Sequence, residues 1–203
     1  NGIKIIEIEG LGPTPFAGML LSDLGAEVTV IHRKDKSTFS NQKNILDRGK
    51  RSIELNLKDP EDLVLAKRLI NRSDAVIEGF RPGVMEKLGL GPNEFNKNPS
   101  LVYGRMTGWG QDGPKSKQAG HDLNYIGLSG ALWFASHPNT PPFTPPALVG
   151  DVGGGALYLV IGVLSAILNA KESGKGSVVD AAIVDGSAHM MNLFMSLQNT
   201  GML

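Results

Sequence analysis

Two short stretches of this 203-residue chain gather residue types that can move a proton. The first is Ala119-Gly120-His121-Asp122-Leu123-Asn124-Tyr125, which follows the loop Gly108-Trp109-Gly110-Gln111-Asp112-Gly113-Pro114 and opens a predicted helix. The second is Leu148-Val149-Gly150-Asp151-Val152-Gly153-Gly154-Gly155, which opens the next one. A histidine and an aspartate at separate helix entrances can face each other across a bound substrate, an arrangement suited to an acid–base pair. Plainer readings exist for both. Asp151 ahead of a glycine run fits a helix N-cap, and His121 fits a hydrogen-bonded structural histidine. His32, His137 and His189 read as surface or packing residues. Glycines 153 to 155 each weaken a helix by up to about 1 kcal/mol relative to alanine, which suits a place where a ligand comes close to the backbone.

A second set of side chains suits anions. Gly10-Leu11-Gly12 after a strand is a partial dinucleotide fingerprint, with Pro15 at the third glycine position and Gly18 a helical turn too late. The next strand ends in Ile31-His32-Arg33-Lys34, where an NAD-binding domain places an acid for the ribose hydroxyls. A basic end suits a ribose that carries a phosphate. Arg48, Lys50, Arg51, Arg81 and Arg105 follow, repeatedly at strand ends where α/β sheets bind ligands. Singly, such residues are most often exposed charges. Together they suit a phosphorylated nucleotide such as coenzyme A, whose 3′-phosphate and diphosphate would engage several cations.

The elements that must carry these residues alternate. Ile3 to Ile8 reads as a strand, Phe16 to Leu24 as a helix closed by Gly25, and Glu27 to Ile31 as a second strand, making a βαβ unit. Ser52 to Leu57 is a strand, and Asp59-Pro60-Glu61-Asp62 starts a helix that runs to Asn71. Strands at 74–78 and 101–106 with short helical pieces between them complete a doubly wound, Rossmann-like α/β pattern with a parallel sheet. Beyond it a helix is predicted over 120–132. Residues 138–146 hold five prolines in nine positions and read as an extended crossing segment. An apolar helix over 153–170, a basic turn, a strand over 178–181 and a Met-rich helix over 185–198 follow. The expected organisation is a Rossmann-like nucleotide-binding domain over 1–135, then the crossing segment and connecting helices over 136–203. The pattern shows neither repeats nor coiled-coil heptads.

Composition narrows the function classes. Hydrophobic residues make up 41%, enough for a core, and 20 basic against 20 acidic residues favour neither nucleic-acid nor membrane binding. No cysteine is present, which excludes disulfides, thiolate metal sites and a thiol nucleophile, and suits a reducing compartment. Gly, Asp and Asn interrupt the apolar runs, so none is expected to reach membrane-spanning length. The ends, at Asn1 and at Gly201-Met202-Leu203, read as cuts in a longer protein.

Six segments in order carry a family resemblance, which runs from Gly2 to the end of the chain. They are Glu7-Ile8-Glu9-Gly10-Leu11-Gly12-Pro13, Arg48-Gly49-Lys50-Arg51-Ser52, Arg81-Pro82-Gly83-Val84-Met85-Glu86-Lys87-Leu88, Gly120-His121-Asp122, Gly150-Asp151, and Gly174-Lys175-Gly176-Ser177-Val178-Val179-Asp180. The sequence resembles the family III (CaiB/BaiF) CoA-transferases and, within them, the α-methylacyl-CoA racemases. The resemblance implies that Asp151 is the shared catalytic carboxylate and that His121, where transferases carry a non-basic residue, marks racemase chemistry. In that chemistry one base removes the proton beside the CoA thioester and the other returns it to the opposite face of an enolate. Backbone amides of Asp151 and the following glycines are expected to hold the enolate oxygen. Burial is expected to raise the Asp151 pKa. Coenzyme A would be bound by Arg33, Arg48, Arg51, Arg81, Asp122 and Tyr125, as part of the substrate and with no separate metal or redox cofactor.

The resemblance further implies an interlocked homodimer in the longer protein, with a small domain and a carboxylate that orients the histidine both beyond this chain. It implies a place in fatty-acid and bile-acid metabolism, in peroxisomes or mitochondria, and otherwise a cytoplasmic location. The C-terminus carries no peroxisomal signal. Alternatives are a CoA-transferase with Asp151 as nucleophile and a non-catalytic, truncated CoA-binding module. An NAD-dependent dehydrogenase is disfavoured by Arg33 and the broken glycine fingerprint.

Overall fold

A computed structural model describes residues 2–34 and 44–202. Strand β1 (Lys4–Ile8) sends Ile5 and Glu7 to one face and Ile6 and Ile8 to the other, as a strand buried on both sides must. Helix α1 (Pro13–Asp23) begins on a proline after Gly12 at φ 66 and leads back to β2 (Glu27–Arg33). Strand β3 (Arg51–Leu55) precedes α2 (Pro60–Ile70), whose N-cap Asp59 accepts the amides of Glu61 and Asp62. Then come β4 (Ala75–Glu78), the one-turn α3 (Val84–Lys87) and β5 (Val102–Thr107).

All pairings are parallel, in the order β3-β2-β1-β4-β5 with β6 (Val178–Ala182) outermost. Sheet residues Ile5, Val28, Ile77 and Met106 pack with α1 and α5 (Leu157–Ser173) on one face. Ile6, Ile31, Val76 and Tyr103 pack with α2, α3 and Phe95 on the other. The fold is the doubly wound α/β sheet expected. Its winding reverses between β1 and β4, and in such sheets ligands bind outside the carboxyl ends of the strands at that crevice. Residues 1–135 and 136–203 share this sheet, because β6 comes from the second segment and pairs along β5 from Tyr103↔Val178 to Thr107↔Ala182.

Three predicted helices differ in detail. The one predicted over 120–132 is α4 (Asp122–Ser129), stopped by Gly130 at φ 86 before a 3₁₀ turn. The one predicted over 185–198 is two helices, α6 (Ile183–Met190) and α7 (Asn192–Asn199). They part at Met191, whose amide reaches back to Ser187 and Ala188 in a tightened last turn. The one predicted from Gly153 starts as a π-helix (Val149–Ala156) that continues into α5. The glycines therefore do not break the run, and Val149–Ser173 forms 25 residues of continuous helix, long and apolar enough to cross a membrane, contrary to the expectation from sequence. Its apolarity has a local cause: Leu159, Val160, Val163, Ile167 and Ala170 are the face that covers the sheet.

Candidate active site

The crossover from β5 to β6 builds the site. Helix α5 descends the sheet antiparallel to its strands, so the π-helix at its head stands above the carboxyl edge, with Gly155 against Met106 near the end of β5. After β5 the chain turns through Gly108 and Trp109, and the Trp109 ring meets Tyr125 edge-on at 4.8 Å. A β-carbon on Gly108 would collide with the Tyr125 hydroxyl, which is why glycine stands there. At the entrance to α4 the His121 amide donates to Asn124 Oδ1 at 2.9 Å, and the histidine itself is exposed.

Asp122 joins the two helix entrances. It is 3% exposed, and its Oδ2 accepts the amides of Gly150 at 2.8 Å and Asp151 at 2.7 Å. A β-carbon on Gly150 would lie 2.9 Å from that oxygen, so the approach needs glycine. Expected among the CoA ligands, Asp122 is placed as a buried brace with Oδ2 committed to the backbone. The Asp151 carboxyl is half-buried and held above its ordinary pKa, first by burial and then by the Asp122 charge, while His121 pulls it down. Tyr125 is pushed up to about 12 by burial and by the charge of Asp151. His121, Asp122, Tyr125 and Asp151 thus occupy one electrostatic neighbourhood.

Two expectations for the second stretch are corrected. Asp151 is no N-cap, because the π-helix is entered through Leu148 without a side-chain cap. Nor are its amide and that of Gly153 free to hold an enolate oxygen: the first goes to Asp122, the second to the Leu148 carbonyl at 2.8 Å. The glycines serve packing. β-Carbons on Gly154 and Gly155 would press on Ser187 and Ile183 of α6, and one on Gly186 would run into the Gly154 carbonyl.

The basic residues divide. Arg33 ends β2 and Arg81 follows β4, both exposed, on the strands that flank β1 at the switch point. The Arg33 amide donates to Glu9 Oε2 at 2.8 Å, and Glu9 also meets His32 at 3.1 Å. Arg48 and Arg51 lie toward the opposite edge. Arg48 bonds Asp23, the last residue of α1, and Arg51 opens β3 at 3.6 Å from Glu27, the first residue of β2. Lys50 and Arg105 do not belong to an anion-binding set. Lys50 is buried on Glu7 at 2.7 Å and the Pro15 carbonyl at 3.0 Å, and burial pushes the Glu7 carboxyl up to about 7 despite that cation. Arg105 is buried on Glu78 at 3.0 Å and Glu86 at 2.7 Å. Sequence reasoning passed over these three glutamates, although an acid inside an apolar strand, as at Glu7 and Glu78, signals a buried cation.

The CoA-transferase family III profile matches residues 1–201. The chain belongs to CoA-transferase family III. A mouse relative, alpha-methylacyl-CoA racemase, is 41% identical over 203 residues, covering 100% of this chain and 52% of the relative. An acetyl-CoA:oxalate CoA-transferase from Acetobacter aceti is 32% identical over 215 residues, covering 99% and 55%. Among solved structures, a CaiB/BaiF family protein from Brucella suis superposes with a TM-score of 0.87 at 29% identity, over 99% of this chain and 57% of that one. This family III chain spans about half the length of the curated relatives it matches.

Proposed function

We propose that this chain carries the CoA-binding and proton-transfer part of a 2-methylacyl-CoA epimerase, an isomerase that interconverts the (R)- and (S)-thioesters. The observation that carries the reading is the brace at Asp122, which ties the His121 entrance to the Asp151 entrance above the carboxyl edge of the sheet. The higher identity to a racemase (41%) than to a transferase (32%), together with a histidine at position 121, supports racemisation over acyl transfer. Histidine and aspartate ordinarily titrate at roughly 6.5 and 3.9. The raised Asp151 carboxyl keeps its proton to higher pH than an ordinary aspartate, which suits it to act as donor as well as base.

In this mechanism the acyl thioester lies between His121 and Asp151. One takes the α-proton, the carbon becomes planar in the enolate, and the other delivers a proton to the opposite face. With the Asp151 and Gly153 amides already used, the enolate oxygen falls to the Asp122 and Leu123 amides, which head α4 ahead of its first backbone bond, from Asn124 to the His121 carbonyl. Arg33 and Arg81 bind the coenzyme A phosphates, Tyr125 lines the thioester end, and coenzyme A enters as part of the substrate with no other cofactor. By the same resemblance the whole protein works as a homodimer on fatty-acyl or bile-acid precursors in peroxisomes or mitochondria. Transfer through an Asp151 anhydride is the second reading, favoured by the A. aceti relative.

Proton NMR of a 2-methylacyl-CoA in D₂O tests the proposal. Loss of the α-proton signal that His121→Ala and Asp151→Asn both abolish is the expected result. CoA exchange onto an added carboxylate, surviving in His121→Ala, would select the transferase reading instead.

A further inference from the structure

Residues 79–83 link β4 to α3 and carry Arg81, and both ends of the link are fastened to one side chain. Glu78, the last residue of β4, accepts the Phe80 amide at 2.7 Å through Oε2 and Arg105 Nε at 3.0 Å through Oε1. Glu86 on α3 accepts the two terminal nitrogens of Arg105 through Oε1 at 2.7 Å and Oε2 at 3.2 Å. Arg105 itself is 6% exposed, and its guanidinium carbon lies 5.7 Å from the centre of the Tyr103 ring.

We infer that Arg105 is a positioning residue: by gripping Glu78 and Glu86 it sets the 79–83 link so that Arg81 faces the coenzyme A phosphates. This rests on the reading above that Arg81 binds coenzyme A. The sheet does not need the grip, since Arg105 stands in a complete ladder between Glu78 of β4 and Asp180 of β6. Nor does Glu86 need a cation to stay charged, because its side chain is 45% exposed and water can solvate it. What a two-pronged guanidinium–carboxylate contact adds is orientation. Other contacts complete the frame. A β-carbon on Gly79 would collide with Thr14 in the first turn of α1, which seats the link in the switch-point crevice. Gly83, at φ 84, lets the Val84 amide close on the Arg81 carbonyl at 3.1 Å. The Arg81 backbone is thereby held from both sides while its side chain is exposed.

Calorimetric titration with coenzyme A, run on Arg81→Ala, Glu86→Gln, the double variant and Arg105→Lys, tests this. Arg81→Ala is expected to weaken binding by roughly tenfold or more, the worth of a charged hydrogen bond. Glu86→Gln weakens it in the same direction with an unchanged melting temperature and adds nothing once Arg81 is alanine. Arg105→Lys weakens it too and, because it also loosens the buried pair with Glu78, lowers the melting temperature. Full additivity of the two changes would overturn the positioning role while leaving Arg81 as a ligand. Unaltered affinity in Arg81→Ala would sink both the inference and the reading beneath it.

Discussion

Asp122 and Asp151 are linked through backbone, with Asp122 Oδ2 on the Asp151 amide at 2.7 Å. The same oxygen takes the Gly150 amide, so one buried carboxylate fixes where Asp151 stands and also repels a negative charge on it. One neighbour therefore fixes the position of Asp151 and adds to the rise in its proton affinity that burial begins.

The two effects separate in Asp122→Asn. The amide oxygen still accepts both backbone bonds, while the charge that raises Asp151 is gone. Asp151 then stays ionised to lower pH, and the acid limb of the α-proton exchange profile moves to lower pH. A limb that stays in place or moves up would show that Asp122 does not tune the carboxyl.

Asp151 also links pH to stability. Its folded-state pKa is raised, so its favourable contribution is complete below the ordinary aspartate value and is lost as pH rises through the folded value. Asp151→Asn cannot ionise and escapes that loss. The variant should melt higher than the parent at neutral pH, the difference should vanish in acid, and exchange should be abolished. Equal melting temperatures at neutral pH would contradict this.

The placement of the arginines predicts a split between them. Arg33→Ala, at the end of β2, should weaken coenzyme A binding roughly tenfold or more and 3′-dephospho-CoA binding much less. Arg51→Ala, at the other edge beside Glu27, should leave both affinities unchanged. Titrations with the two ligands decide it, and a large loss in Arg51→Ala would mean that the ligand follows another path across the sheet.

Gly154→Ala places a β-carbon 2.7 Å from the Ser187 amide and 2.8 Å from the Ile183 carbonyl, both backbone and unable to turn aside. Overpacking of this kind costs about 1–3 kcal/mol. The melting temperature should fall, and exchange should fall with it because Asp151 shares the same π-helix. An unchanged melting curve would mean that α6 can withdraw without cost.

Much of the scaffold was readable because its causes are local. The isoleucine-rich run from Ile3 to Ile8, the Asp59 cap with Pro60 behind it, and Gly25 after α1 each state their own geometry. The roles of charged residues were less accessible, because they depend on which strand lies alongside. Arg105 reads as one more cation at a strand end until the β4–β5 register sets Glu78 beside it. Asp122 reads as a coenzyme A ligand, and nothing near it in sequence reveals that Gly150 and Asp151 will offer it two amides. The glycine run misled in the other direction. Gly154 and Gly155 read as room for a ligand, and the room is taken by α6.

The π-helix has one more consequence. Its bond from the Gly153 amide to Leu148 spans one residue more than an α-helical bond, so this segment holds an extra residue between Asp151 and the body of α5. Removing any one of Gly153, Gly154 or Gly155 would let ordinary α geometry run back through the segment. Everything upstream would then keep nearly the same direction about the helix axis, because the wider turn takes up one residue without re-aiming the helix on either side. What the extra residue supplies is thus a local swelling of the helix, the width that brings the Gly154 backbone against α6, and a deletion there would open that seam while leaving the carboxylate's heading nearly as it was.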